Sequence, residues 1–259
     1  PSRGLGDVYK RQAYDNCPAE LRDRLKLEEM CLHPERYKDT EVIHRGRNIV
    51  LLYTDPATAR KYVVKNFKKP NLAQRIAYTW FTPGKARRAF KYASMLRSRG
   101  ISTPRETAYI EVYEHGLLSQ SYFVCEYCPW PSLASLWLPS KPYDIAQLET
   151  VAQMLADMHK AGVLHGDTNI GNFLYGAPSS ITTVDVNRTR FLDHEPTRKE
   201  CLDNMVKLTH RRDVLYKITE HYADLRGWNK QESADYVLHK LIEYEKKRNR
   251  RNKLKHIAR

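Results

Sequence analysis

Alternating apolar and polar positions divide the first half of the chain into short strands. Runs rich in Val, Ile, Thr and aromatic residues, bounded by Gly, Pro, Asn and Asp, are typical of strands. Five such runs cover residues 41–48, 49–53, 61–67, 108–113 and 121–127. Turns at Gly46-Arg47-Asn48 and at residues 55–58 interrupt the first three. The pattern therefore predicts a three-stranded meander followed by two further strands.

A helical repeat of apolar residues separates the third and fourth strands and dominates the second half. In Gly84–Arg99 the apolar residues recur every three or four positions, which predicts a helix capped by Gly100. The same spacing predicts a helix over Ile145–His159 that ends at Gly162, and more helices from about Thr197 onward. A strand-rich first half with one main helix and a mainly helical second half predicts an α+β fold of two lobes.

Changes in composition divide the chain into four segments. Residues 1–12 resemble translated adaptor sequence and are left out of the fold prediction. Residues 13–40 are charged, and we expect an N-terminal extension with short helices there. Residues 41–127 are expected to form the first lobe. Residues 128–259 are expected to form the second lobe, which ends in a basic tail.

The net charge, the hydropathy and the cysteines restrict the class of protein and of binding partner. The 259 residues carry a formal net charge of +14, which favours a polyanion such as nucleic acid, an acidic membrane surface or a phosphorylated glycan. No apolar run approaches the ~20 residues that span a bilayer, and no signal-peptide core is visible. Five irregularly spaced cysteines suggest a reducing compartment. Cys125 and Cys128 lack the second ligand pair that a zinc site needs, so two ordinary thiols are the simpler interpretation.

The loop after the second predicted helix carries residue types that phosphoryl transfer requires. Asp167 lies in His165-Gly166-Asp167, and Asn172 follows five residues later. The Asp carboxylate would orient the acceptor hydroxyl, and the Asn amide oxygen would bind a metal ion. Asp185, thirteen residues after Asn172, follows a short apolar run that would bring a second metal ligand. The combined spacing is far more specific than the His-Gly-Asp triplet alone.

Two positions in the first half complete this set. Lys65, in Val63-Val64-Lys65, is a strand lysine suited to the α- and β-phosphates of a nucleotide. Gly46 lies in a turn that would cover the nucleotide, although a turn with one Gly is equally consistent with a plain hairpin. The simpler interpretation of the whole set is that Asp167 and Asn172 are turn residues and Lys65 ends a solvated strand.

Five short phrases carry a resemblance to a known family. They are GRN at 46–48, VVKNFKKP at 63–70, GISTP at 100–104, HGD at 165–167 and DVNRTRF at 185–191. With them, the chain from about Ile43 onward resembles the lipopolysaccharide core kinase family, whose members phosphorylate Kdo or heptose. The last phrase is more similar to this family's metal-binding motif than to the Asp-Phe-Gly of protein kinases.

The resemblance implies a protein-kinase-like fold with a β-rich N-lobe and a mainly helical C-lobe. It implies ATP as donor, Mg²⁺ as cofactor and a sugar hydroxyl of the lipid A–core oligosaccharide as acceptor. The enzyme would then work in the cytoplasm, peripherally on the inner face of the inner membrane. The implied catalytic residues are Asp167 and His165, and the implied metal ligands are Asn172 and Asp185. The implied nucleotide contacts are Lys65, Gly46, Arg47, Glu126 and Tyr127.

Two departures from the kinase pattern stand out. Kinase folds pair the strand lysine with a Glu on the first-lobe helix, but no acid occurs between Lys65 and Arg105. We expect that Glu near Lys91, where a lysine would repel Lys65, so Glu106 or Glu111 would have to serve instead, or the kinase would be degenerate. The other departure is Gly166, where many protein kinases have an Arg that receives an activation-loop phosphate. Gly at this position is typical of small-molecule and lipid-sugar kinases.

Positive charge is concentrated in two segments. Residues 246–259 carry eight Lys or Arg and no acid, and residues 66–99 carry nine more. One interpretation is a solvated surface. The other is docking on an anionic inner-membrane surface, where each basic residue contributes about 1 kcal/mol. RNA would suit the charge equally well, but no RNA-binding motif accompanies it, so no specific nucleic acid is expected.

Three functions therefore remain open from the sequence. The first is a lipopolysaccharide core kinase. The second is a phosphotransferase of the same fold that acts on a protein or a soluble small molecule. The third is a non-catalytic, kinase-like adaptor at a membrane or on RNA.

Overall fold

The computed structural model describes residues 8–13, 40–139, 142–176 and 178–257. They divide into two compact units. The first unit holds residues up to 98 together with 103–129, and the second holds 99–102 together with the residues from 130 onward. The short helices expected before residue 40 lie outside the described residues. The predicted limits of the four segments, including an adaptor origin of residues 1–12, stay predictions.

The first unit is built on an antiparallel sheet of six strands. The strands are β1 Val8–Ala13, β2 Thr40–Arg45, β3 Ile49–Thr54, β4 Lys61–Phe67, β5 Glu106–Glu114 and β6 Leu117–Glu126. Their order across the sheet is β1-β5-β6-β4-β3-β2. The meander of β2, β3 and β4 confirms the first three predicted strands. The later two strands are confirmed as well, but both are longer than the pattern predicted.

A tight turn explains why β5 and β6 are longer than predicted. His115 and Gly116 join them with φ of 52° and 73°. A two-residue hairpin whose central residues both have positive φ matches the twist of the flanking strands, so pairing continues to the turn itself. Glu114 pairs with Leu117 directly across it.

The described part of the first unit contains two helices, α1 Leu72–Trp80 and α2 Lys85–Ser98. The predicted apolar face of α2 is buried, and it packs on β5 and β6. The helix α1 was not predicted. It begins with a capping box in which Asn71 and Gln74 each accept from the other's backbone N–H, and it buries none of its residues. A helix without a buried face gives no core periodicity from which to predict it.

The described part of the second unit is mainly helical and contains two small two-stranded sheets. Its elements are α3 Leu133–Leu136, α4 Ile145–Lys160, β7 Val163–Leu164, β8 Phe173–Gly176, β9 Ser180–Thr183, β10 Arg190–Phe191, α5 Arg198–Met205, α6 Arg212–Leu225 and α7 Lys230–Ile257. Helix α4 packs on α6, and α6 packs on α7, which confirms the predicted helical second half. The strand β7 pairs with β10, and β8 pairs with β9. Together the units confirm the α+β class.

The end of α4 leads directly into the candidate site. Asp144 caps the start of this helix by accepting from the N–H of Ala146. Gly162 ends it with φ of 69°, as predicted. Arg99 fixes this turn from outside, because its Nη1 donates to the carbonyl oxygens of Ala161 at 2.7 Å and Gly162 at 3.1 Å.

Candidate active site

The loop that carries Asp167 is held by the buried ring of His165. Nε2 of His165 lies 3.1 Å from the carbonyl oxygen of Val184, and Nδ1 lies 3.3 Å from the backbone nitrogen of Asp167. These partners assign the proton to Nε2, which donates, while Nδ1 accepts. Burial lowers the pKa of His165, so the ring is neutral near pH 7. A fully buried, neutral ring supports a positioning role for His165 rather than direct contact with substrate.

Asn172 is tied to the same loop. Its Nδ2 donates to the main-chain oxygen of Asp167 at 2.9 Å, and its own carbonyl accepts from the N–H of Val184 at 2.8 Å. Because the amide nitrogen is engaged, Oδ1 is the atom that the side chain offers to a cation. The predicted pair of Asp167 and Asn172 is therefore one structural unit.

Asp185 reaches the site through an unusual backbone conformation. Its φ and ψ of 58° and 43° lie in the left-handed region, which costs a non-Gly residue roughly 1–2 kcal/mol. Nδ2 of Asn187 donates to Oδ1 of Asp185 at 2.5 Å. Strain of this kind persists where the surroundings fix it, and it concentrates at functional sites. The segment after β9 thus presents a carboxylate in a fixed direction.

Arg188 was not singled out by the sequence, yet it contacts the key carboxylate. Its Nη1 lies 3.3 Å from Oδ2 of Asp167. Both side chains are partly exposed, so the pair adds little stability, and its effect is to orient the carboxylate. The backbone of Arg188 also packs on Gly166, which has φ of 75°. A Cβ at that Gly would overlap the carbonyl oxygen of Arg188, which is why the loop has no side chain there.

A buried polar network supports the loop from below. The hydroxyl of Thr168 donates to the main-chain oxygen of Asn204 at 2.5 Å. The side-chain oxygen of Asn204 lies 3.1 Å from Nε2 of His159, whose Nδ1 lies 2.7 Å from the hydroxyl of Tyr222. This chain joins the loop to α4, α5 and α6. Sequence spacing gave no sign of it, because its members are far apart in the chain.

The donor set of the second unit fits a hard divalent cation. It offers the amide oxygen of Asn172 and the carboxylate of Asp185, and Mg²⁺ prefers oxygen ligands of this kind. Within the described ranges no group of three or more His, Cys, Asp or Glu side chains could hold a metal. In proteins Mg²⁺ usually has one or two carboxylate ligands and takes its remaining ligands from water and phosphate.

In the first unit, Lys65 lies on the side of the sheet that faces α2. It pairs with Phe123 across β4 and β6, and its Nζ lies 5.3 Å from the centre of the Phe67 ring. Phe67 and Phe123 pack against the α2 residues Ala89 and Phe90. The strand lysine is therefore close to the helix that carries its acidic partner in other kinases.

The expected clash between Lys91 and Lys65 is wrong. Lys91 is exposed on the outer side of α2. The residues of α2 that are buried against the sheet are Ala86, Ala89, Phe90, Ala93 and Leu96. The buried face of this helix is thus made of Ala, Phe and Leu side chains.

Of the two alternative acids, Glu106 is the better placed. It is 1% exposed, and its Oε1 accepts from Nη2 of Arg97, near the end of α2, at 2.6 Å. Glu106 pairs with Cys125, and Cys125 pairs with Val63, so these residues share the sheet face of Lys65. Burial raises the pKa of the Cys125 thiol to about 12, with Lys65 lowering it and Glu106 raising it. Both charges therefore act at the same thiol.

Glu111 has a different environment. It accepts from the hydroxyl of Tyr113 at 3.0 Å in the middle of β5. Gly84, just before α2, lies so close to it that a Cβ there would overlap the carboxylate oxygen. The absence of a side chain at Gly84 makes room for this buried acid.

The remaining predicted nucleotide contacts lie at the edges of the first unit. Gly46 and Arg47 are exposed in the turn between β2 and β3, where Gly46 N–H donates to the carbonyl of Asn48 at 3.1 Å. Glu126 ends β6, and its N–H donates to the carbonyl of Arg105. Tyr127 follows, and its N–H donates to the carbonyl of Lys61 at 3.0 Å. Nucleotide binding by these residues stays a prediction.

Comparison with known proteins identifies the family to which the sequence is similar. Residues 41–236 match the model of the lipopolysaccharide kinase (Kdo/WaaP) family. A 3-deoxy-D-manno-octulosonic acid kinase from Vibrio parahaemolyticus serotype O3:K6 (strain RIMD 2210633) is 27% identical over 118 residues. That match spans 46% of this chain and 49% of the relative, so it covers about half the length of each.

One solved structure supports the fold. WaaP in complex with acyl carrier protein superposes with a TM-score of 0.58 at 19% identity, over 93% of this chain and 98% of that one. The bifunctional kinase-methyltransferase WbdD gives a TM-score of 0.47 at 16% identity, over 76% and 43%. The first of these likenesses confirms a kinase-like fold. Among the described residues, no helix combines the length and the apolar character needed to cross a membrane.

Proposed function

Because the chain belongs to the lipopolysaccharide kinase (Kdo/WaaP) family, we propose that it is an ATP-dependent kinase that phosphorylates a sugar hydroxyl of the lipopolysaccharide inner core. The acceptor sugar is Kdo or heptose. The observation that carries the proposal is the hydrogen bond from Asn172 to the main chain of Asp167. It holds a carboxylate for the acceptor and an amide oxygen for a metal in one loop, which phosphoryl transfer requires.

In this mechanism Asp167 orients the acceptor hydroxyl and accepts its hydrogen bond. Its side chain is 33% exposed, so a hydroxyl can reach it, and Arg188 fixes Oδ2. His165 holds the backbone of the loop, which keeps the carboxylate in place without itself meeting substrate. Most of the rate enhancement in phosphoryl transfer comes from such positioning and from charge stabilisation.

We assign the metal ligands and the direct nucleotide contacts to different residues. Asn172 and Asp185 would hold Mg²⁺, which neutralises charge on the phosphates when bound. Lys65 would bind the α- and β-phosphates, and Gly46, Arg47, Glu126 and Tyr127 would be the further nucleotide contacts. Glu106 takes the place of the missing helix acid, since it is buried on the sheet face of Lys65 and anchored to α2 by Arg97.

The site of action is the cytoplasmic side of the inner membrane. The acceptor is lipid-borne, and the net charge of +14 favours an anionic surface. Peripheral binding through basic patches would concentrate the enzyme where its acceptor lies.

The test is transfer of labelled phosphate from Mg-ATP to Kdo-containing lipid A. We expect Asp167→Asn to lower kcat by about 10²–10⁴-fold, because it removes the group that orients the hydroxyl. The matched control is Asp193→Asn in the same unit, a carboxylate that is 97% exposed, and it should keep full activity. Equal activity of Asp167→Asn and wild type would exclude the mechanism.

The same assay separates the other two functions. Phosphorylation of a protein or an aminoglycoside, with no label on lipid, would show a different acceptor. A non-catalytic adaptor is favoured by the apolar inner face of α2, which lacks the usual acid. No transfer to any acceptor, together with no thermal stabilisation by Mg-ATP, would establish that adaptor.

A further inference from the structure

Helix α1 exposes an apolar stripe that the fold does not use. Leu72, Ile76 and Trp80 are spaced four residues apart, so they line one side of the helix. Their side chains are 62%, 37% and 65% exposed, and Phe81, directly after the helix, is 78% exposed. Four large apolar residues on one exposed element are unusual for a surface that meets only water.

Hydrogen bonds attach α1 to its own unit. Nε of Arg75 donates to the carbonyl oxygen of Leu118 at 2.8 Å. The hydroxyl oxygen of Thr79 accepts from the N–H of Leu118 at 3.0 Å. In a surface helix the apolar side normally faces the core. Here hydrogen bonds fix the helix to β6, and its apolar side faces outward.

The surroundings of this stripe are positively charged. Lys68 and Lys69 lie just before the helix and are exposed. The guanidinium of Arg88 lies 5.6 Å from the centre of the Tyr78 ring on α1. No Asp or Glu occurs between residues 66 and 105, and Glu114 on β5 is paired with Lys69 at 3.2 Å. Apolar side chains within a basic border are complementary to an anionic lipid surface, in which acyl chains lie beneath negatively charged headgroups.

We propose that α1 is a membrane-docking helix, with Leu72, Ile76, Trp80 and Phe81 inserted into the interface of an anionic phospholipid bilayer. The basic residues around it contact lipid phosphates. Helices with one apolar and one polar side lie in this way at bilayer surfaces, and Trp is enriched there. The inference deepens the proposed function, because it places the enzyme beside a lipid-borne acceptor. Vesicle binding nevertheless needs neither ATP nor acceptor, so the two can fail separately.

The first experiment measures sedimentation of the full chain with vesicles. The vesicles contain phosphatidylethanolamine and phosphatidylglycerol, with phosphatidylcholine vesicles as the neutral comparison. We expect Ile76→Ser combined with Trp80→Ser to weaken binding to the anionic vesicles by about tenfold or more, since two apolar groups lose their place in the bilayer. The matched control is Ile145→Ser, which removes an apolar side chain that is 60% exposed in the other unit, and it should bind as wild type.

The second experiment reports on insertion itself. Brominated phospholipids quench Trp fluorescence only when the indole enters the bilayer. We expect strong quenching in the wild type and its loss in Trp80→Phe, which keeps an aromatic ring and should still sediment with vesicles. The other three Trp residues then serve as an internal background.

Several results would overturn the proposal. One is unchanged vesicle binding by the double Ser variant, and another is equal quenching in wild type and Trp80→Phe. A third is self-association of the wild type that the double Ser variant abolishes while vesicle binding persists, which would show that the stripe binds a second copy. If instead the double Ser variant fails to bind vesicles but phosphorylates detergent-dispersed acceptor normally, docking is supported and catalysis is separate from it.

Discussion

At Gly166 the backbone conformation and the neighbouring carbonyl of Arg188 exclude any side chain. We expect Gly166→Ala to lower the free energy of unfolding by more than the roughly 1–2 kcal/mol that the left-handed torsion alone costs. It should also lower kcat, because the loop must move away from Arg188. Urea unfolding and steady-state kinetics measure the two effects.

The control for this variant is Gly227→Ala. Gly227 has nearly the same φ, 66°, but a Cβ there meets nothing within 4 Å. Gly227→Ala therefore has the free-energy cost of the left-handed torsion, but its Cβ overlaps no other atom. If both variants lose the same stability, the packing of Arg188 on Gly166 has no energetic weight.

A second residue-scale prediction concerns the acid that serves Lys65. We expect Glu106→Gln to raise KM for ATP by about tenfold, because the lysine loses a buried negative charge. Adding Ala89→Glu should restore part of the ATP affinity, since Ala89 lies on the inner face of α2, in the cluster that packs on Phe67. Adding Lys91→Glu should not, because that position is exposed. Rescue by Lys91→Glu alone would contradict the assignment.

At this scale the sequence predicted the residue types but not their contacts. Spacing predicted Asp167, Asn172 and Asp185 as site residues, and the structure joins Asn172 to the main chain of Asp167 by a hydrogen bond. The roles of Arg188, of Asn187 and of the left-handed Asp185 depend on backbone torsions that spacing does not reveal. The position of Lys91 was misjudged for a similar reason, since an error of one or two residues turns a helical side chain from core to solvent.

At the scale of elements, the hydrogen bonds of His159, which connect α4 with α5 and α6, make the free energy of unfolding depend on pH. Burial lowers the pKa of His159 from its ordinary value to about 4. The neutral buried ring contributes stability above pH 6.5, and that stability is lost as pH falls toward 4, because only the unfolded chain takes up the proton. At pH 5 the loss amounts to about 2 kcal/mol. Urea unfolding at pH 7.5 and pH 5 should show it.

The variant His159→Gln should remove this part of the pH dependence. The difference in unfolding free energy between the two pH values should then shrink by about 2 kcal/mol. His239→Gln is the control, since that side chain is 71% exposed. An unchanged pH profile in His159→Gln would show that another buried group, such as His165, dominates.

Elements with a buried periodic face were predictable, and the others were not. The meander and α2 follow from apolar spacing, since each buries one side. Helix α1 was not predicted, because its apolar residues face outward and Arg75 and Thr79 make its hydrogen bonds to β6. The full length of β5 and β6 was not predicted, because the turn between them contains His115. This residue adopts a positive φ that is more usual for Gly, Asn or Asp, so the sequence does not indicate a two-residue turn there.

At the scale of the whole molecule, the basic tail and α1 should contribute to membrane binding in different ways. Replacing Arg250, Arg251 and Lys253 by Gln should weaken binding to anionic vesicles by about a hundredfold at low salt, at about 1 kcal/mol for each charge. This loss should vanish at high salt, because counterions screen exposed charges. The contribution of the α1 stripe is apolar and should persist. Vesicle sedimentation over a series of NaCl concentrations measures both.

The control keeps the same change in net charge. Replacing Lys160, Lys230 and Lys240 by Gln removes three charges elsewhere in the second unit. If that variant loses as much binding as the tail variant, total charge rather than the tail governs the association. The family and the fold class were predictable at this scale from the catalytic-loop phrases, but the outward face of α1 was visible only in the structure.

Arg99 also constrains how the protein can be divided. The segment 99–102 belongs to the second unit, although the chain reaches it before β5. Arg99 donates to Leu192 at 2.9 Å as well as to the end of α4, and the carbonyl of Ser102 accepts from the N–H of Thr183. A gene cut between Pro129 and Trp130 would therefore express a second half in which the carbonyls of Ala161 and Leu192 lose Arg99 and the N–H of Thr183 loses its acceptor. Split reporters or separate expression of the halves should need the segment 99–102 supplied, by circular permutation or as an added peptide.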